Sequence, residues 1–309
     1  MNSTFATTKY AATRLAFANR MKKASAWVRE HRKVLSWSTS VAALFALTWI
    51  LSQHGGWEAL TSASLRHPWL IAVAVALWPL NLGLEAWKWR VLSSKAIQRE
   101  DEAAQIRGWR TVWREVLGGQ TWATLGPLRW ADGLGRLALA PESSLKGQQG
   151  AMAFAKGAAA QGWATWCWAI PALLMWDWPA LGAVAILGVG AGGVLLVRNA
   201  PPVIMGLSLI RYAVFALQYL LFLTAFGAIS WHQWWVDACP RIAAVWCAIG
   251  TLPWPAELGV REAAAAWAFD DHLPAVVAGT FGLWLLNRGG SALVGALVVG
   301  QMWHSPQSP

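Results

Sequence analysis

Runs of about twenty mostly apolar residues recur along the chain, at 34–51, 68–87, 150–175, 179–197, 207–229 and 274–300. A helix needs about 20 such residues to cross the roughly 30 Å hydrocarbon core of a bilayer. Inside lipid, every backbone N–H and C=O must be satisfied within the spanning element. The expectation is an all-α polytopic membrane protein with about six transmembrane helices. Two further apolar stretches, 111–128 and 241–258, are short and carry Gly and Pro near their middle or end. They read as two re-entrant or broken helical elements. Non-helical backbone survives at membrane depth only where protein or a water-filled cavity surrounds it, so these elements imply an internal cavity.

Composition supports this reading. The chain is 56% apolar and 13% charged, against about 45–50% and about 25% in soluble domains, which excludes a soluble catalytic domain. Among 25 tryptophans, Trp87, Trp89, Trp176, Trp178, Trp231, Trp234 and Trp235 fall where apolar runs meet polar ones, as interfacial indoles do. Cys167, Cys239 and Cys247 have no CxxC or zinc-ligand spacing, so neither a disulfide framework nor a structural metal is expected. No cofactor is expected either.

Lysine and arginine number 25 against 15 acids, and their placement is uneven. Residues 1–33 carry eight and 88–114 carry seven, whereas 52–67, 176–178 and 230–240 carry only Arg66 between them. By the positive-inside rule the first two segments are cytoplasmic. The organisation expected is a basic cytoplasmic extension over 1–33, a transmembrane domain over 34–300 and a short tail over 301–309, with both termini inside. An acid-poor, Arg-bearing start is also shared by organelle transit peptides. A seventh crossing, made by the second broken element together with 260–269, is the alternative topology and places the C-terminus outside.

An ionisable group at the bilayer centre costs on the order of 2.5–3.5 kcal/mol on insertion scales, so charges inside apolar stretches need a reason. Glu85 shares a helical face with Asn81 and Lys88. An i,i+3 ion pair with a snorkelling Lys88 is the structural explanation, and a polar substrate path the functional one. After the first break, Pro127 is followed by Arg129, Asp132 and Arg136. Planar guanidinium groups beside a helix break suit phosphate oxygens, and an ion network within the hairpin is the alternative. The second break holds Pro253 and Pro255, then Glu257 and Arg261 at i,i+4. Gln161, Gln218 and Arg288 add deep polar groups, whereas Arg211 fits a cytoplasmic interface. The Gly/Ala-rich stretches 157–162 and 188–193 read as close helix packing.

The tract Pro127-x-Arg129-x-x-Asp132-x-x-Gly135-Arg136 resembles a signature of the flippase-like transmembrane region of lysylphosphatidylglycerol synthases and their stand-alone relatives. Pro253-x-x-Ala256-Glu257-Leu258-Gly259-Val260-Arg261 is similar to that family's second signature. Asn81-x-x-Leu84-Glu85-x-x-Lys88-Trp89-Arg90, Gln161, and Arg211-Tyr212-x-x-Phe215-x-x-Gln218-Tyr219 add supporting matches. Leu128, Ala131 and Asp132 stand where the first signature has Asn, Gly and Glu. The resemblance implies movement of a lipid between leaflets of a bacterial cytoplasmic (inner) membrane through a cavity between two re-entrant elements. Its substrate is then a membrane phospholipid or a polyprenyl-phosphate lipid. A separate lipid-modifying enzyme and a second copy of the chain are the further candidate partners. The family's synthetase domain has no counterpart in this sequence, so lipid aminoacylation is not implied.

Two other functions compete. A scaffold that binds another membrane protein or anionic lipid through its basic arm and Trp belts would be indifferent to the buried charges. A membrane acyltransferase is suggested by the His-x4-Asp spacing of His232 and Asp237, in which an Asp orients a basic His. No companion acyl-donor element accompanies that pair. Nucleic-acid binding is not expected, because the positive charge lies in membrane-flanking loops. No phosphate-cradling Gly loop follows a strand, which argues against ATP-driven pumping.

Overall fold

The structure is a computed structural model that describes residues 64–98, 107–125, 131–140, 145, 148–175, 179–251, 260–269 and 272–304. The basic extension 1–33, the expected first span 34–51, and Pro127, Arg129, Pro253 and Glu257 lie outside the described residues. Among those described there is no strand. The helices are α1 (Pro68–Gln98), α2 (Trp109–Leu125), α3 (Ala131–Leu139), α4 (Gln148–Met175), α5 (Pro179–Asn199), α6 (Pro202–Ala225), α7 (Cys239–Thr251), α8 (Val260–Ala268), α9 (Leu273–Trp284) and α10 (Ser291–His304).

Three helical stretches are long and apolar enough to cross a membrane: α1, α6 and the run from α9 into α10, Leu273–Val298. The expected spans over 150–175 and 179–197 form as α4 and α5, but their described parts fall short of that standard. In α4, Gln161 and three indoles, Trp163, Trp166 and Trp168, dilute the apolar run. Boundaries also move for local reasons. Helix α1 continues past Trp87 to Gln98 because no breaker follows. Helix α6 begins earlier than expected, at Pro202, whose missing N–H is harmless in a first turn. It ends before Gly227, whose φ of 73° suits a residue without Cβ. Helix α10 runs to His304, into the expected tail.

Helix α1 is the central element, packing on α6, α4 and α2. Its first half joins Leu70 and Ala74 to Tyr219, Leu223, Ile242, Val276 and Leu283 in one apolar cluster. Its second half joins Trp89 and Leu92 to Val112, Val116, Ala153 and Ile204 in another. Large apolar side chains point outward elsewhere, among them Leu187, Val194 and Leu195 on α5 and Leu293 and Leu297 on α10. A surface of that kind suits lipid rather than water.

Within the described residues the two stretches expected to be broken form continuous helices, α2 and α7, and each packs as a helical hairpin leg on the short helix that follows it, α3 or α8. Legs α2 and α3, of 17 and 9 residues, pack on each other, as do α7 and α8, of 13 and 9 residues. At 1.5 Å per residue the shorter legs reach only about 14 Å, half of a bilayer core. Each hairpin is closed in the same way. Arg114 Nη2, near the start of α2, donates to the carbonyl of Leu139 at the end of α3 (3.3 Å). Arg241 Nη1, near the start of α7, donates to the carbonyl of Ala268 at the end of α8 (3.0 Å). A cation there meets the negative end of the helix dipole and an orphan carbonyl. In both pairs the start of the first helix therefore lies beside the end of the second. Legs α2 and α3 touch closely at Gly119, where a Cβ would collide with Asp132 and with Arg136 Cγ (2.7 Å).

The packing reading of the small-residue stretches holds only in part. A Cβ at Gly157 or Gly193 would press on Leu92 or Trp163, but at Gly162, Gly188 or Gly190 it would meet nothing within 4 Å. Three of these glycines therefore face open space instead of a neighbouring helix.

The first hairpin is fastened to α1 by a buried ion pair. Arg107 pairs with Glu115 through both terminal nitrogens, and Trp89 Nε1 donates to Glu115 Oε2 at 2.7 Å. Arg107 Nη1 also donates to Ser93 Oγ (3.1 Å). The sequence places Arg107 among solvated cytoplasmic charges, yet it is buried. Replacing Glu115 with Gln strands that guanidinium, and the expected loss is about 3–5 kcal/mol. Thermal unfolding of the purified protein in detergent checks this, and an unchanged midpoint would show the pair to be dispensable.

Candidate functional site

The polar residues of α1 recur at Asn81, Glu85 and Lys88, one face of a helix. That face opens on a cavity of about 380 Å³ bounded by α1, both hairpins, α4, α6 and the α9–α10 junction. Glu85, 7% exposed, is its hub. Lys88 Nζ lies 2.8 Å and Arg211 Nη1 3.1 Å from Oε2, and Arg136 Nη2 lies 2.9 Å from Oε1. One carboxylate thus holds cations from α1, α3 and α6. Asp132, one turn before Arg136, takes two hydrogen bonds from that guanidinium, from Nε and Nη2, both at 2.7 Å. Arg136 also lies over the rings of Trp89 and Phe154, 5.5 and 5.9 Å from their centroids.

Amides extend the cluster. Gln161 Oε1 accepts from Lys88 Nζ (3.3 Å) and Arg211 Nη1 (3.1 Å). Arg211 Nε donates to Asn81 Oδ1 (3.1 Å), and Asn81 Nδ2 donates to Gln218 Oε1 (3.2 Å) and Asn287 Oδ1 (2.9 Å). Gln218 is anchored in turn on the carbonyl of Ala74 (3.0 Å). Arg288 Nη1 reaches Gln120 Oε1 on α2 (3.2 Å). Asn287 and Arg288 sit in a π-helical turn, Leu285–Gly290, whose wider winding lets two consecutive residues line the cavity. Arg261, at the start of α8, lies 5.2 Å from the Trp246 ring.

Of the residues singled out from the sequence, Glu85, Asp132, Arg136, Gln161, Arg261 and Arg288 line this one cavity, and Gln218 is bonded behind its wall. The charges of two separate signatures, 125 residues apart between Arg136 and Arg261, are therefore brought together. Two expectations change. Lys88 does not snorkel, since its ammonium is buried beside Glu85. Arg211 is not an interfacial charge but a member of the hub. Sequence reasoning also passed over Gln120, Tyr212 and Trp246 as wall residues. The signal for Arg211 was present, because Arg211, Phe215 and Gln218 fall on one helical face. The His232–Asp237 pair is not assembled: Asp237 Oδ1 accepts from Arg241 Nε at 2.7 Å, and His232 is exposed on a short 3₁₀ turn.

Among the described residues, the wall carries five cationic side chains, Lys88, Arg136, Arg211, Arg261 and Arg288, against two carboxylates, Glu85 and Asp132. Opposite charges 4 Å apart gain about 4 kcal/mol at an effective dielectric near 20, and each buried ion loses several kcal/mol of solvation. The carboxylates stabilise the cations they touch, and among the described wall residues cations outnumber carboxylates. An anion with several acceptor oxygens, in particular a phosphate, meets that surplus. No protein family, curated protein or solved structure matches the chain.

The hub makes a quantitative expectation. Glu85→Gln leaves three cations facing one another and is expected to destabilise the protein by about 3–5 kcal/mol. In a double-mutant cycle with Arg211→Gln, a coupling of about 1–3 kcal/mol is expected from groups in direct contact. Additive losses in detergent unfolding would mean that the two side chains act independently.

Proposed function

We propose that this chain is an integral membrane protein that carries a phosphate-bearing lipid headgroup between leaflets through the cavity, while the acyl chains stay in the surrounding lipid. The observation that carries the reading is the excess of guanidinium and ammonium groups over carboxylates on a buried wall. In this reading Arg136 and Arg211 receive the phosphate from the cytoplasmic side, and Arg261 on the opposing hairpin takes it onward. Arg129 and Glu257, on the two breaks, belong to the same path. The lipid is a phospholipid or a polyprenyl phosphate, and the membrane is the bacterial cytoplasmic membrane.

The topology proposed is six crossings with both termini inside. The closure of the second pair supports six over seven, because the start of α7 lies beside the end of α8. The first hairpin enters from the cytoplasm and the second from outside, the inverted arrangement found in transporters with sites near the midplane. Cys239 is a direct reporter, since it begins α7 and is partly exposed. It is expected to react with a membrane-impermeant thiol reagent applied to intact cells, and protection there with reaction in inverted vesicles would reverse the orientation.

Leaflet exchange of fluorescent phospholipids in proteoliposomes tests the function. Wild-type protein is expected to accelerate exchange of an anionic phospholipid, and Arg136→Gln to slow it at least tenfold, the effect of losing about 1.4 kcal/mol of phosphate contact. Equal exchange by the two proteins at matched folding would remove the cavity from the mechanism. Absence of exchange by wild type for every lipid class would favour the scaffold reading.

A further inference from the structure

Two residues that line the cavity, Tyr212 and Trp246, each carry a polar atom that takes no part in the ion cluster. Tyr212 Oη and Trp246 Nε1 are buried and have no hydrogen-bond partner among the described residues. Tyr212 is 6% exposed, follows Arg211 on α6 and stacks on Trp168 with ring centroids 5.7 Å apart. Trp246, on α7, packs edge-on against Phe215 at 4.6 Å and lies beneath Arg261. Both residues line the cavity. Their rings are held by aromatic neighbours, so neither polar atom can turn away to another partner without losing that packing.

A buried donor without an acceptor costs about 1–3 kcal/mol. An indole N–H can only donate, and a phenol O–H donates readily. Tyr212 differs from phenylalanine only by its unpartnered hydroxyl, and the two donors call for an acceptor that arrives from outside the protein. The wall's surplus of cations determines its charge. A cationic amine would bring further donors to donors and positive charge to positive charge. A phosphodiester brings only acceptors, two of them sharing a negative charge.

We propose that Tyr212 and Trp246 are the neutral hydrogen-bond donors of a phosphodiester subsite in this cavity, with Arg211 and Arg261 supplying its positive charge. The assignment deepens the headgroup-transport reading and rests on it for the source of the ligand. The guanidinium groups attract any anion. The two neutral donors select one whose oxygens reach both.

Binding to the full-length protein in detergent tests the subsite with two probes, phosphatidylglycerol in mixed micelles and the soluble diester glycerophosphoglycerol. Apparent affinity is read from calorimetry and from the ligand-dependent rise in unfolding temperature. Wild type is expected to bind, and Tyr212→Phe and Trp246→Phe are each expected to weaken binding about tenfold or more, the loss of one hydrogen bond to a charged acceptor. Tyr212→Phe loses no intramolecular hydrogen bond, so its unliganded unfolding temperature is expected to stay level or rise, whereas Trp246→Phe also gives up ring packing on Phe215 and beneath Arg261 and is expected to unfold somewhat lower. Unchanged affinity in both variants overturns the subsite while leaving the transport reading intact. A lowered unfolding temperature without ligand, at unchanged affinity, overturns it in favour of a packing role. Binding of the soluble diester but not of the lipid supports the subsite and defeats the lipid-transport reading. Failure of wild type to bind either probe overturns both.

Discussion

The Glu85 carboxylate is the interaction on which the arrangement of the membrane-embedded helices depends. It meets Lys88 from its own helix, Arg136 from the first hairpin and Arg211 from α6, all within 3.1 Å. Each of those cations would be strongly disfavoured in an apolar bundle alone. Together they are tolerated because one buried anion serves all of them, with Asp132 completing the pairing of Arg136. The same contacts tie three elements to one point, so the position of the hairpin relative to the spans is set by charge as well as by packing.

Two short helical hairpins bring their polar residues to that point. Each is sealed by an arginine near its first helix bonding the last carbonyl of its second. The closure is alike in two separate stretches of sequence because both second legs end in a carbonyl with no intrahelical donor, and a nearby guanidinium supplies one. The turn Leu285–Gly290 solves a related problem differently. By widening the helix locally it presents Asn287 to the amide network and Arg288 to α2 without breaking the span.

The functional reading follows from imbalance rather than from the presence of charge. A neutral network of buried ions is consistent with structure alone, and the Arg107–Glu115 pair is such a case, closed on itself and bonded by Trp89. The cavity differs in that its cations exceed its carboxylates and that two of its hydrogen-bond donors are unspent. In the proposed reading these features favour an anionic, acceptor-rich visitor, and the apolar exterior of the helices is compatible with a lipid as its source.

The sequence by itself determined the class of fold and most of the charges that matter. Apolar runs of membrane length, Gly and Pro breaks, and ionisable residues inside such runs are properties of single segments. They are legible because desolvation is a cost that a segment incurs wherever it is folded. Glu85, Asp132, Arg136, Arg261 and Arg288 were found on that basis. Only the tertiary structure decided which charges meet. Arg107 sits in a polar stretch and reads as solvated, yet Glu115 and Trp89 enclose it. Arg211 lies near the start of the apolar run 207–229 and reads as interfacial, yet α6 begins earlier, at Pro202, and α1 supplies its partner 126 positions away. Tyr212 enters the sequence reading only within a resemblance and Trp246 not at all, and only the packed helices bring both to one cavity, each with a buried polar atom that has no partner. Hydropathy is summed along the chain, whereas ion pairing falls steeply with distance between segments, and that distance exists only once the helices have packed.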